Sequence, residues 1–193
     1  LVRKDWPILA SILQKAQAAV DDTEKAGLLA KWLPIYKGPV QAGGAASEVM
    51  GKPADTRTGV TLTERERDYL GRKKALAFCV DPDWAPIERI DENGRHVGIS
   101  ADFLSIISER LGVPVVLVPT SSWSQSLNAV RDRRCDFLPA AGDTKERRRY
   151  LRFTSPYLRF PMVVAALAAS PFIDDPAALS GKTLGVVNGY ASL

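Results

Sequence analysis

Residues 75–80 read Ala-Leu-Ala-Phe-Cys-Val, residues 114–118 read Pro-Val-Val-Leu-Val, and residues 136–140 read Asp-Phe-Leu-Pro-Ala. Each is a short apolar run bounded by polar or turn-forming residues, as expected of a strand covered on both faces. Between the first two lies Ser100–Leu111, where Phe103, Ile106, Ile107 and Leu111 share one helical face and Gly112 supplies the stop. Between the second and third, Ser122 and Gln125 have capping-box spacing ahead of a helix carrying Leu127 and Val130. Strand, helix, strand, helix, strand predicts an α/β lobe with a parallel-rich open sheet. Such sheets bind ligands beyond the carboxyl ends of their strands, so residues 81–88, 120–124 and 140–147 are the loops to inspect. The same geometry places Cys79 near the end of the first strand and Cys135 just before the third, at opposite ends, which predicts no disulfide between them.

Outward from this unit, Thr144–Leu151 reads as a short helix, Pro161–Ala169 as a longer strand and Lys182–Val187 as a further strand, with a turn at Asn188-Gly189. Toward the amino terminus, Asp91-Glu-Asn-Gly94 is a hairpin signal. Thr63-Glu-Arg-Glu66 is a capping box for a helix to about Arg72. From Lys37 to Thr61 there is no Leu, Ile, Phe, Tyr or Trp while Gly and Pro recur, so this stretch cannot repay its ordering by burial and reads as a linker. Residues 5–33 form an amphipathic helical hairpin: Leu9, Ile12, Leu13, Ala16 and Val20 share a face, Pro7 suits a first turn, and Asp22 or Thr23 can cap the second helix. The chain divides into 1–36, a linker at 37–61, a lobe at 62–160, and a crossover with the start of an incomplete second lobe at 161–193.

Composition narrows the function. The chain of 193 residues is 46% hydrophobic and 25% charged, enough to bury a core. No apolar run reaches the roughly 20 residues of a membrane helix. With no initiator Met and no signal peptide, Leu1 opens in mid-pattern, as in an excerpt from a longer protein. The net charge of +4 is accounted for between Arg131 and Arg152, where eight basic residues face four acidic ones. That stretch is broken by Cys135-Asp-Phe-Leu-Pro139, which reads as a buried strand, and this argues against nucleic acid as a partner. No metal-ligand spacing, phosphate loop or nucleophile–base pair is present, so neither cofactor nor metal is expected.

The three loops carry a coherent chemistry. Asp81-Pro-Asp83-Trp84-Ala-Pro-Ile-Glu88 offers an aromatic between acids, and Ser121-Ser-Trp123 a second aromatic at a helix start. Gly142-Asp-Thr144-Lys-Glu-Arg147 adds an arginine able to pair bidentately with a carboxylate, near free amides at a helix start. Two aromatic walls, an arginine and several acids suit a small zwitterion. The plainer reading makes Trp84 and Trp123 core aromatics, and Asp102 a residue serving only its helix dipole. His96, in a polar turn, reads as a surface residue.

Here the sequence resembles a known family, the family 3 extracellular solute-binding proteins, whose two lobes close on a ligand like a flytrap. The resemblance rests on Asp81–Glu88, Gly94, Gly98-Ile-Ser-Ala-Asp102-Phe-Leu104, Trp123–Asp136, Thr144-x-x-Arg147, Phe153-Thr-Ser-Pro-Tyr157 and Leu179–Gly189. It implies that Arg147 and Thr144 hold a ligand carboxylate and that Trp84 packs on the ligand. It extends the ligand set to Asp83, Glu88, Asp102, Trp123, Gly142, Asn188 and Tyr190. Arg3-Lys-Asp-Trp-Pro7 and the helices after it are similar to the closing helices of the same family. Residues 1–36 would then finish a preceding flytrap module, and the parent would be a membrane-anchored sensory kinase or cyclic-di-GMP signalling protein with this part in the periplasm. The implied partners are a small amino acid or carboxylate, the preceding module and a second copy in a homodimer. A free-standing binding protein of an uptake transporter is the alternative. A few periplasmic dehydratases share the fold, but catalysis by this chain is not expected. Two departures stand out: Ala140-Ala-Gly-Asp143-Thr144 is one residue shorter than the usual Gly-x-Ser/Thr-x-Thr, and most of a second lobe is absent. The orphaned apolar face of residues 8–33 should dock on this lobe or on a neighbouring chain.

Overall fold

A computed structural model describes residues 1–33, 59–160 and 163–190. In chain order the elements are β1 (Val2–Arg3), α1 (Pro7–Ala18), α2 (Asp22–Trp32), α3 (Glu64–Lys73), β2 (Leu76–Phe78), β3 (Asp83–Trp84) and β4 (Glu88–Ile90). They continue with β5 (His96–Val97), α4 (Ile99–Leu111), β6 (Val115–Leu117), α5 (Trp123–Arg131) and β7 (Leu151–Arg152). The predicted linker lies, apart from residues 59–61, outside the described residues.

The first two runs do become a parallel pair, with Leu76 opposite Val115 and Phe78 opposite Leu117, but β6 is not covered on both faces as expected: it lies at the sheet edge with Val116 51% exposed. The third run contributes only Phe137, bridging Phe78 in parallel and Val2 antiparallel. It shortens because the Asp136 carboxylate turns back to accept from the Ala77 N–H at 2.8 Å and Pro139 has no N–H to donate. β1 pairs with β7, Val2 against Arg152, so the sheet runs β6, β2, Phe137, β1, β7. The residues ahead of the helical hairpin thus enter the sheet as a strand, which the sequence reading did not foresee. A second small antiparallel sheet, β3–β4–β5, holds the hairpin at Asp91–Gly94.

The hairpin of residues 7–32 docks on this lobe. Leu9, Ile12, Leu13 and Ala16 of α1 are buried in one cluster with Leu76, Phe78, Leu104, Ile107 and Phe137. Burial of each of the leucine and isoleucine side chains contributes about 1.5–3 kcal/mol. Polar contacts fix the orientation: Ser11 Oγ and Lys15 Nζ donate to Glu66 at 2.7 and 2.6 Å, and Arg110 Nη2 to both Glu24 oxygens at 2.6 Å. At α3 the cap follows the expected logic, with Thr63 and Glu66 exchanging bonds, whereas at α5 Ser122 accepts from the Gln125 N–H but Gln125 Oε1 turns to the Ser121 N–H. At α2 the cap is Asp21, one residue earlier than expected, because Glu24 then reaches back to the Asp21 N–H. Gly98 at φ 127° is required where α4 begins, since a Cβ there would lie 2.6 Å from the Ile87 carbonyl oxygen.

Three expectations need correction. Cys79 and Cys135 form a disulfide, with Cα atoms 5.9 Å apart. The opposite-ends argument assumed an extended third strand, whereas the Cys135 N–H bonds to the Ala129 carbonyl and the chain folds back at the end of α5. The helix expected over Thr144–Leu151 is a single 3-10 turn at Arg147–Arg149, because Leu151 and Arg152 are drawn into the ladder with β1. Neither apolar run after residue 160 forms a strand among the described residues. Val163, Leu167, Val186 and Val187 stand exposed with no strand to pair with, and an isolated strand is not stable in water.

Candidate ligand site

Arg147 is the centre of the site. The 3-10 turn that carries it is held by Thr144, whose Oγ1 accepts the Arg147 N–H at 3.2 Å. The side chain runs inward until the residue is 4% exposed. Its Nη1 donates to the Gly142 carbonyl at 2.6 Å and its Nη2 to the Gly189 carbonyl at 2.5 Å, while the guanidinium carbon lies 5.3 Å from the centre of the Trp123 ring. No carboxylate bonds to it among the described residues. Burial lowers the guanidinium from its ordinary value, only partly opposed by the charges of Tyr150 and Glu146.

Trp123 opens α5 and is buried, its Nε1 donating to the same Gly189 oxygen at 2.9 Å. Trp84 on β3 is partly exposed, its ring 5.8 Å from that of Tyr190. Tyr190 meets Trp123 edge-on at 6.5 Å and donates its hydroxyl to Asp81 Oδ2 at 2.5 Å. Burial first, then the Asp81 contact, raises the Tyr190 phenol. Trp84, Trp123, Arg147 and Tyr190 thus come together, with Gly142 and Thr144 fixing the arginine. Two hollows, one lined by Leu13, Phe103 and Tyr157 and the other by His96, Leu104 and Ser108, lie apart from this cluster.

The other expected residues are placed differently. Glu88 is fully buried behind the site and faces no solvent. Its Oε1 accepts from the Asp81 N–H at 2.8 Å and its Oε2 from Ser100 Oγ at 2.8 Å, and burial pushes its carboxyl up to about 8. Asp102 turns to α2, accepting from Lys31 Nζ and Trp32 Nε1, both at 2.7 Å. Asp83 and Asn188 are exposed. His96, expected on the surface, has a side chain only 7% exposed. Pairing of β5 with β4 carries it over Phe78, at a ring separation of 5.3 Å, and its Nε2 lies 3.0 Å from Ser100 Oγ. Burial pulls it down to about 4. Asp81 lay in an inspected loop but was not singled out, because nothing in its local pattern says that Glu88 orients its backbone and that Tyr190 meets its carboxylate.

Residues 76–187 match the family described as bacterial extracellular solute-binding proteins, family 3. The chain belongs to that family. As a family 3 solute-binding protein it is 27% identical over 161 residues to the virulence sensor protein BvgS of Bordetella parapertussis, covering 82% of this chain and 13% of that protein. It is 30% identical over 97 residues to the cyclohexadienyl dehydratase of Pseudomonas aeruginosa, covering 50% of this chain and 36% of that enzyme. The chain therefore spans a small part of the length of these relatives. Among solved structures, the BvgS periplasmic domain of B. pertussis is similar with a TM-score of 0.49 at 21% identity, over 51% of this chain and 19% of that one. Arginine-bound ArgBP from T. maritima gives 0.42 at 27%, over 47% and 43%. The family 3 match spans β2 to β7, the elements that hold Trp84, Trp123 and Arg147.

Proposed function

We propose that this chain is the solute-sensing part of a transmembrane signalling receptor and binds a small amino acid or related carboxylate beside Arg147. The observation that carries the reading is a buried arginine whose described partners are two carbonyl oxygens and an aromatic face. A ligand carboxylate there gains charge-assisted, bidentate bonds that neutral carbonyls cannot match. Trp84 and Trp123 wall the rest of the ligand, and Asp81 meets a donor at its far end.

The sensor reading is favoured over an uptake binding protein by the reach of the similarity to BvgS, whose 161 residues exceed the 112 of the family match over 76–187. Residues 1–36 then close a preceding module, and the contacts of α1 and α2 with this lobe are where two modules would meet. A periplasmic location is supported by the Cys79–Cys135 disulfide, since such bonds persist in oxidising compartments. A dehydratase activity is not proposed: Glu88, the acid nearest a raised pKa, is sealed from solvent and cannot reach a substrate.

The test is calorimetric titration of the chain with amino acids and small carboxylates, beside Arg147→Ala and Arg147→Lys. Binding weakened at least about a hundredfold by Arg147→Ala, and only partly restored by lysine, is expected. Binding unchanged by Arg147→Ala would remove the reading.

A further inference from the structure

We propose that Glu88, Ser100 and His96 form a proton-responsive switch beneath the solute site, thrown by one proton exchanged with water at His96 and felt by the loop from Asp81 to Trp84. The inference rests on the reading of that loop as one wall of the site and goes beyond it, because it says what regulates the wall.

The three groups stand in a line. Glu88 Oε2 and Ser100 Oγ are 2.8 Å apart, and Ser100 Oγ and His96 Nε2 are 3.0 Å apart, whereas Nε2 and Oε2 are separated by 3.8 Å. The serine hydroxyl carries one hydrogen and cannot donate to both neighbours. The second bond must take its hydrogen from one end of the line. Either Glu88 is protonated and donates to Ser100, which donates to Nε2, or His96 carries its hydrogen on Nε2 and donates to Ser100, which donates to the carboxylate. Passing from the first state to the second moves the Glu88 hydrogen to Ser100 Oγ, the Ser100 hydrogen to His96 Nε2, and the Nδ1 hydrogen of the ring to water. Three bonds to hydrogen break, three form and one proton leaves. Glu88 becomes charged, while His96 stays neutral and changes only its tautomer.

Both ends of the line lead somewhere. His96 lines a hollow of about 300 Å³ together with Arg95, Ser105 and Ser108, so the ring can exchange a proton with water that fully buried Glu88 cannot meet. At the other end Glu88 Oε1 accepts the Asp81 N–H at 2.8 Å, and Asp81 Oδ1 accepts the Asp83 N–H at 3.0 Å, one residue before Trp84. A carboxylate accepts more strongly than a neutral acid, so the proton on Oε2 sets the grip on Asp81. The other titratable groups facing Glu88 are Asp81, Tyr157, Tyr190 and the Leu1 amine, and Asp102 faces His96. Burial raises both tyrosines, and it pulls the Leu1 amine down to about 5 and His96 to about 4. From pH 6 to pH 9.5 these four groups therefore stay neutral, while Glu88, pushed up to about 8, titrates.

His96 is the only histidine of the chain, so nitrogen NMR of the labelled protein reads its two ring nitrogens without ambiguity. The Nδ1–H tautomer is expected to dominate at pH 6 and the Nε2–H tautomer at pH 9.5, each by more than about tenfold, with the Asp81 amide proton moving in step. Glu88→Gln, whose side-chain amide donates to Ser100 as the protonated acid does, should hold Nδ1–H at every pH, and Ser100→Ala should leave the tautomer independent of pH. A single tautomer throughout in the wild type, a reversal that survives Glu88→Gln, or an Asp81 amide that stays still while the ring switches each overturns the proposal. No solute enters this test, so its failure leaves the carboxylate reading standing. A chain that switches yet gives no heat with any amino acid or small carboxylate upholds the switch and removes that reading instead.

Discussion

Replacing Glu88 by glutamine should change how stability depends on pH more than it changes stability at any single pH. Glu88 is fully buried, and its carboxyl is pushed from 4.5 to about 8 by loss of water, only partly opposed by the bonds from the Asp81 N–H and Ser100 Oγ. A raised folded value means the native chain keeps a proton that the unfolded chain releases above pH 4.5. The stabilisation is therefore whole below that pH and drains away as pH rises toward 8. At 1.36 kcal/mol per unit, the three units from pH 5 to pH 8 amount to roughly 4 kcal/mol as an upper figure. For a urea dependence near 2 kcal/mol per molar, that is a midpoint shift of about 2 M. His96, pulled from 6.5 down to about 4 by burial, costs stability only as pH falls below 6.5, and because it lies 3.8 Å from Glu88 the comparison is read most cleanly between pH 6.5 and pH 8, where His96 stays neutral. Urea unfolding of wild type and Glu88→Gln from pH 5 to pH 8 reads the effect directly: the wild type should lose ground to the variant at each step. Two curves running in parallel would refute the reasoning, because Glu88 would then ionise freely and the space around it would have to be wet.

Three further outcomes follow from the packing. Ile12→Ala empties a fully buried position at the junction of α1 with the sheet and should cost about 2–5 kcal/mol by the same urea assay; a cost under about 1 kcal/mol would mean residues 7–18 do not dock here in solution. Gly98→Ala places a Cβ 2.6 Å from a carbonyl oxygen at φ 127° and should destabilise by about 2 kcal/mol or more, whereas Gly71→Ala, with open space around it, should be neutral or mildly stabilising. Thiol titration of the denatured, unreduced chain should find no free cysteine, and reduction should lower stability by roughly 4 kcal/mol for a loop with sequence separation 56. Two titratable thiols before reduction would contradict the disulfide.

Local signals read well in this sequence, and long-range ones did not. The helices at 7–32, the capping box at Thr63 and the runs at Leu76 and Val115 depend on periodicity and caps within a few residues, and they form as read. β1 escaped because Val2-Arg3 is a strand only through Leu151-Arg152, nearly the whole chain away. A separation of 56 residues hides the disulfide, which depends on the chain turning back at the end of α5. Residues 163–187 show the opposite failure, since Val186-Val187 has the composition of a strand but no partner in the described residues. In the site, loop position picked out Trp84, Trp123 and Arg147, which do gather in space. It could not distinguish Asp81, whose buried carboxylate meets Tyr190, from Glu88, which meets only Asp81 and Ser100 behind it, because both flank the same turn. For Asp102 the sequence offers a ligand contact or a helix-dipole role, and its bonds to Lys31 and Trp32 arise only once α2 packs on α4.

The most direct test of the central claim uses matched ligand pairs. Each amino acid that binds the chain in calorimetry is titrated again as its carboxamide, which keeps size, amine and side chain but removes the negative charge that Arg147 is held to read. The account predicts that every carboxamide binds at least about tenfold more weakly, and that Arg147→Ala erases the difference. Equal binding of acid and amide by the wild type would contradict it.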